Sequence, residues 1–208
     1  MTKEVKYYIE AGANDGLHQS RSLHLKDNLE YHGIMIEPNP VAFSYCKNNR
    51  NPSNHTFINA ALVPLDYEND AIDLYGRSGR MDPKSLHQSM MGAVSKSRLM
   101  EVDRSRFTNA PIFRVAAKSL QEILDSIKVK EIEYFYLDVE GYEAGVLRGI
   151  TSNIKIKNLE VEIHADDQEH EEQETQIIVD ICKNLDLVLI KCNRDEGYPK
   201  LIFKREQG

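Results

Sequence analysis

The sequence predicts an α/β protein, a Rossmann-like sandwich whose sheet is mostly parallel and closes on an antiparallel C-terminal hairpin. Three observations carry this expectation. Short β-prone runs alternate with helically spaced apolar stretches along the 208 residues, the pattern of βα units around a parallel sheet. The first run, Tyr7-Tyr8-Ile9-Glu10, breaks into the two-glycine turn Ala11-Gly12-Ala13-Asn14-Asp15-Gly16, and the second, Gly33-Ile34-Met35-Ile36, ends on Glu37, 21 residues after Gly16. Two β-prone segments, Leu187 to Cys192 and Lys200 to Lys204, end the chain around a turn containing Gly197 and Pro199. A strand, a glycine turn and an acid closing the next strand about 20 residues on form the layout of a nucleoside-binding unit. The glycines let backbone approach a ligand closely, and the acid accepts hydrogen bonds from ribose hydroxyls.

The elements follow in order. Leu25 and Leu29, four apart between Ser20 and Tyr31, predict a helix that Gly33 closes. Pro38-Asn39-Pro40 turns the chain, with Pro40 opening a helix through Phe43 to about Asn49. His55 to Asn59 reads as a third strand and Ala71 to Tyr75 as a further one. Between Gly76 and Ala110 the pattern is irregular, rich in serine and glycine, and holds four of the six methionines. A loop of that length predicts a lid over the site. Strand Ile112 to Ala116 follows, then a helix whose start carries Ser119 and Glu122 at capping-box spacing. Ile132 to Val139 is the most apolar strand and is expected at the centre, ending in Asp138-Val139-Glu140-Gly141. A helix through Leu147, strand Leu159 to His164, the acidic run from Asp166 to Glu174 and a helix from Ile177 to Leu185 lead into the closing hairpin.

Composition bounds the rest. With 41% hydrophobic and 28% charged residues the chain reads as one globular domain over residues 1–208, carrying the lid as an insertion at about 76–111. No run of 18 apolar residues is present, and residues 1–6 lack a signal-peptide core. Cys46, Cys182 and Cys192 form no CxxC pair, so reduced thiols and a cytoplasmic location are expected. The net charge of −7 argues against a general nucleic-acid binder. Yet nine basic residues against three acids make the segment from Arg77 to Lys118 net +6.

Three cofactor classes use such a crevice. No Gly-Lys-Ser/Thr follows the first turn, which excludes a P-loop. A dinucleotide would meet Glu10 and Asp15 beside its pyrophosphate and lacks the third close glycine it needs. S-adenosylmethionine has no phosphate, carries a sulfonium and an ammonium, and offers its ribose to Glu37.

Three motifs in order, Ile9-Glu10-Ala11-Gly12-Ala13-Asn14-Asp15-Gly16, Ile34-Met35-Ile36-Glu37-Pro38-Asn39-Pro40 and Leu137-Asp138-Val139-Glu140-Gly141-Tyr142-Glu143 with Leu147-Arg148-Gly149, resemble the FkbM family of S-adenosylmethionine-dependent methyltransferases. The resemblance runs from about Tyr7 to His164. It implies a class I methyltransferase fold with a seven-stranded sheet, acting on a hydroxyl, often of a sugar or polyketide.

On that resemblance, Glu10, Gly12, Asn14, Asp15 and Gly16 shape the methionine end of the pocket, Glu37 holds the ribose, and Asn59 and Ala60 lie near the adenine. Asp138 ends the central strand beside the transferring methyl. Removing the acceptor's proton calls for a general base, with Asp138, Glu140 and His164 as candidates and His164 closest in intrinsic pKa. Asp138, His164 and Asp166 also compose a candidate Mg²⁺ site. The basic residues Arg77, Arg80, Lys84 and Arg98 are candidates for steering an anionic acceptor, a small molecule or glycan. Two rival functions stay open: methylation of RNA, for which the basic lid speaks, and a non-catalytic module that binds S-adenosylmethionine.

Overall fold

The computed structural model describes residues 5–76, 92–93, 112–165, 167–194 and 198–206. Lys6–Ala11 forms β1, whose last four residues are buried. It pairs in parallel with β2 (Tyr31–Ile36) on one side and with β8 (Glu131–Leu137) on the other. Beyond β2 lies β3 (His55–Ile58) and beyond β8 lies β9 (Lys155–Glu162), again in parallel. The closing hairpin, β10 (Leu187–Asn193) and β11 (Lys200–Arg205), inserts β11 antiparallel between β9 and β10. The result is a seven-stranded sheet in the order β10-β11-β9-β8-β1-β2-β3. From β1 the strand order runs outward one way through β2 and β3 and the other way through β8 and β9, so a crevice opens at the C-terminal ends of the parallel β1 and β8.

A second, four-stranded sheet runs β4-β7-β5-β6, from β4 (Ala61–Leu62), β7 (Ile112–Lys118), β5 (Ala71–Gly76) and β6 (Gly92–Ala93). It leaves the main sheet just past β3, and its Leu62 joins the main core.

One face of the large sheet presents Ile9, Ile34, Phe135, Leu137, Leu159 and Val161. These pack against α2 (Leu120–Ser126), α3 (Glu143–Leu147) and α4 (Gln168–Lys183), and Leu120, Leu124, Val146, Leu147 and Ile178 are buried there. On the other face, α1 (Pro40–Asn49) sets Cys46 against Tyr8, Met35 and Leu25. The helix starts follow the sequence pattern. Asn39 accepts from the amides of Val41 and Ala42, and Ser119 and Glu122 close a reciprocal capping box.

Three expectations need correction. No α-helix forms between Ser20 and Tyr31: a 3₁₀ turn, Leu23–Leu25, stands there, and Leu29 is 81% exposed. The backbone and hydroxyls of this stretch are taken up by side chains. Asp15 accepts from the amides of Leu17 and His18, and Glu10 accepts from the Arg21 amide and the Ser20 and Ser22 hydroxyls. Such local side-chain bonds compete with a helical ladder. Gly33 is no helix end but lies inside β2, where a Cβ would sit 2.5 Å from the Tyr8 ring and 2.6 Å from His55. Lastly, the acidic run mostly belongs to α4 itself, which starts at Gln168 with Asp167 capping the His170 amide. Acids in a first turn are stabilised by the helix dipole.

Candidate functional site

At the end of β1 the chain must turn sharply past β8, and Gly12 makes this possible. Its φ is +83°, and a Cβ there would lie 1.7 Å from the Asp138 carbonyl oxygen. The amides of Gly12 and Ala13 both donate to the Ile36 carbonyl, at 3.0 Å each, while the Asp138 amide donates to that of Ala11. The three strand ends are thus tied together, and a cleft opens above them.

Glu37 is the buried acid of this cleft. Its two oxygens accept from the amides of Asn14 and Asn39, each at 2.8 Å. Burial nevertheless pushes its carboxyl up to about 7, against those two hydrogen bonds and with help from the charges of Asp138 and Glu140. Asn14, at φ 47°, brings its own side chain to the cleft wall, and its buried Oδ1 has no partner among the described residues.

Glu10 is held from behind. Besides the Ser20, Ser22 and Arg21 donors, the fully buried Arg50 guanidinium lies 3.5 Å from its Oε2. Burial raises the Glu10 pKa, opposed by the two serine hydroxyls and by Arg50. Arg50 also donates from Nε to the Gly16 carbonyl at 2.6 Å, so one side chain fixes the loop from Gly16 to Ser22.

The turn after β8 holds the remaining acids. Glu140 and Gly141 adopt φ of 57° and 96°, and the buried Glu143 accepts from the Val139 and Gly141 amides. His164, past the end of β9, places Nε2 2.8 Å from Asp138 Oδ1 and Nδ1 3.6 Å from Glu140 Oε2. Its ring packs on Tyr198 with centroids 4.3 Å apart. Burial alone would lower the His164 pKa. The hydrogen bond to Asp138 and the charges of Glu140, Asp138 and Glu143 reverse this and lift it to about 9.

The open cleft, counting its solvent-filled mouth, encloses roughly 1000 Å³. Glu10, Gly12, Asn14, Glu37, Ala60, Asp138 and Glu140 all line it, as the sequence expects. Asp15, Gly16, Asn59 and His164 stand behind the lining. Asp15 caps the loop: burial raises its pKa, but the His18 ring and the Leu17 and His18 amides bring it below the ordinary value. Gly16 packs on Cys46 and Arg50, and Asn59 donates to the Glu37 and Pro38 carbonyls. Asp15 is bonded within its own loop, so the expected repulsion of a pyrophosphate falls on Glu10, which lines the cleft and is backed by the Ser20 and Ser22 hydroxyls and Arg50. Glu10, Glu37, Asp138 and Glu140 are the acids that line the cleft.

Arg77, Arg80, Lys84, Arg98 and Asp166 lie outside the described residues. Asp138 and His164 do come together, with Glu143 as third member and ligand atoms within 4.8 Å of one another. Sequence reading also missed Ser20, Arg21, Leu74, Tyr136 and Tyr142 in the cleft wall and Arg50 behind it. Tyr142 falls within the third motif without being given a role there, and the others carry no motif. A buried arginine 40 residues from its carboxylate, on another element, leaves no local signal.

Among the described residues no helix is long and apolar enough to cross a membrane. No curated protein matches the sequence. Among solved structures, the Methyltransferase FkbM from Methylobacillus flagellatus KT is similar over 96% of this chain, with 12% identity and a TM-score of 0.54. This chain spans 43% of that protein's length, and at such identity the likeness speaks to the fold alone. A SAM-dependent methyltransferase from Aquifex aeolicus aligns over 97% of this chain and 82% of its own, at 8% identity and a TM-score of 0.45. The family model described as the Methyltransferase FkbM domain matches residues 10–198, nearly the whole length, and the chain belongs to the FkbM methyltransferase family.

Proposed function

We propose that the chain binds S-adenosylmethionine in this cleft and methylates a hydroxyl of a sugar or other small or glycan acceptor. The observation that carries the reading is the convergence of Glu37, Asp138 and Glu140 on a cleft at the β1/β8 switch point. Three carboxylates there suit a ligand bearing a sulfonium and an ammonium and disfavour one bearing a pyrophosphate. The residues present fit the cofactor. Gly12 removes the Cβ that would close the crossing, and Asn14 Oδ1 is a buried acceptor awaiting a donor. Glu37 stands at the strand end where ribose hydroxyls are held in such folds. Ala60 borders the side of the cleft assigned to the adenine.

When bound, the cofactor supplies an electrophilic methyl group on a sulfonium. The chain's part is to align the acceptor oxygen with that carbon and to take the hydroxyl proton. Asp138 lines the cleft and is given the base role. His164, carrying its own proton at neutral pH, donates to Asp138 Oδ1 and keeps the carboxylate oriented. Glu140 flanks the same imidazole and is the alternative base. The basic stretch with Arg77, Arg80, Lys84 and Arg98 is given, on its sequence charge, the task of drawing an anionic acceptor to the domain.

The test is a labelled-methyl assay against pooled sugars, glycans and nucleotides, with Asp138→Asn as control. Label transferred to a hydroxyl acceptor and lost in the variant supports the reading. Label transferred only to RNA, or cofactor binding with no transfer to any acceptor, contradicts it.

A further inference from the structure

We infer that Arg21 recognises the carboxylate of the cofactor's amino-acid end. The inference rests on the S-adenosylmethionine reading of the cleft. Among the described residues that line the cleft, Arg21 is the one lysine or arginine, set among four carboxylates. It is also held in place twice. Its amide donates to Glu10 Oε1 at 2.8 Å, and its Nε donates to Glu160 Oε1 at 2.7 Å.

The two anchors span three strands. Glu10 in β1 is register partner to Tyr136 in β8, and Tyr136 is partner to Glu160 in β9. Arg21 bridges this row from one acid to the other, beside Tyr136, with its side chain still 41% exposed. Glu160 takes the Nε and Nη2 donors through one oxygen. That side-on grip leaves the outer Nη1–Nη2 edge of the fork directed away from Glu160, a geometry suited to a second carboxylate.

The order of the strands suits the proposed ligand. Ribose hydroxyls at Glu37 put the nucleoside over β2, and the sulfur then passes the Gly12 turn between β1 and β8. The amino-acid end continues to the β8 and β9 side, where Arg21 stands. Acids alone would bind the ammonium and repel the adjoining carboxylate, so a fixed cation at that end completes the match to a zwitterionic tail.

Calorimetric titration of the whole chain with two probes tests this. S-adenosylhomocysteine carries the carboxylate, and its decarboxylated analogue keeps the amine and lacks only that group. Arg21→Gln is expected to weaken S-adenosylhomocysteine by roughly 10- to 100-fold, the range for a hydrogen bond between charged groups. The analogue should change less than about threefold, and Arg21→Lys should recover part of the loss. Equal losses for both probes would reduce Arg21 to a brace for the loop and overturn the inference, as would no loss for either. A wild-type chain that binds neither probe overturns the cofactor reading and this inference together. A Gln variant that melts early is replaced by Arg21→Lys, for which a selective loss on S-adenosylhomocysteine supports the inference and an unselective one contradicts it.

Discussion

Nε2 of His164 lies 2.8 Å from Oδ1 of Asp138, and this contact separates the roles of the two residues. With Asp138, Glu140 and Glu143 around it, the imidazole holds its proton to about pH 9. A group so loaded is a poor base at neutral pH, and the proposed function therefore gives that role to Asp138, which lines the cleft. The intrinsic pKa that made His164 attractive in the sequence is overridden by its neighbours.

The first prediction concerns that titration. The folded pKa of about 9 exceeds the ordinary 6.5. The resulting stabilisation is therefore complete below about pH 6.5 and is lost as pH rises through 9. For this buried group it is of the order of 3 kcal/mol. Imidazole ¹⁵N shifts followed from pH 6 to 10 should show a titration near 9, moved to lower pH in Asp138→Asn. A wild-type midpoint near 6.5 would remove the imidazolium from the scheme.

Glu37 titrates in the range where proteins are usually assayed. Its folded pKa is raised from 4.5 to about 7, so its contribution to stability is present below about 4.5 and fades as pH rises through 7. Ribose hydroxyls donate best to the carboxylate, so binding should expel the residual proton. S-adenosylhomocysteine affinity is expected to rise between pH 6 and 8, with proton release visible as buffer-dependent heat. Glu37→Gln should weaken binding by roughly 10- to 100-fold and flatten that dependence.

The Glu10–Arg50 pair makes a prediction about stability. Arg50→Met leaves the buried Glu10 without its counter-charge and should cost roughly 3–5 kcal/mol in urea unfolding. Adding Glu10→Gln to that variant removes the orphaned charge and should recover part of the loss. A double variant no more stable than Arg50→Met would show that packing, not charge, sets the cost.

Gly12→Ala tests the strand crossing. A Cβ 1.7 Å from the Asp138 carbonyl, at φ +83°, has no room without parting β1 from β8. The variant should lose more than about 3 kcal/mol of stability and all measurable nucleoside binding. A folded Gly12→Ala chain with normal affinity would contradict the geometry.

The mostly parallel sheet and its hairpin were legible because strand signals, glycine turns and strand-end acids are local in sequence, while the count of seven strands came with the family resemblance. The same holds for the helix start at Pro40 and the capping box at Ser119. The stretch after Gly16 misled because Leu25 and Leu29 have helical spacing, while what decides its shape is remote. Glu10, eleven residues before Arg21, takes the Arg21 amide, and Arg50, thirty-four residues after Gly16, takes the Gly16 carbonyl. Arg21 and Glu143 were invisible for a similar reason, since each gains meaning only through a partner or turn brought near by folding. Short-range pattern reveals strands and turns, and long-range hydrogen bonding fills in the site.

The proposed function requires the cleft above β1 and β8 to take a nucleoside of the S-adenosylmethionine type and not a dinucleotide. Calorimetric titration with S-adenosylhomocysteine and, in parallel, with NAD tests it most directly. The account predicts one S-adenosylhomocysteine site per chain, abolished by Gly12→Ala and weakened by Glu37→Gln, and no heat from NAD. Saturable binding of NAD with none of S-adenosylhomocysteine would contradict it.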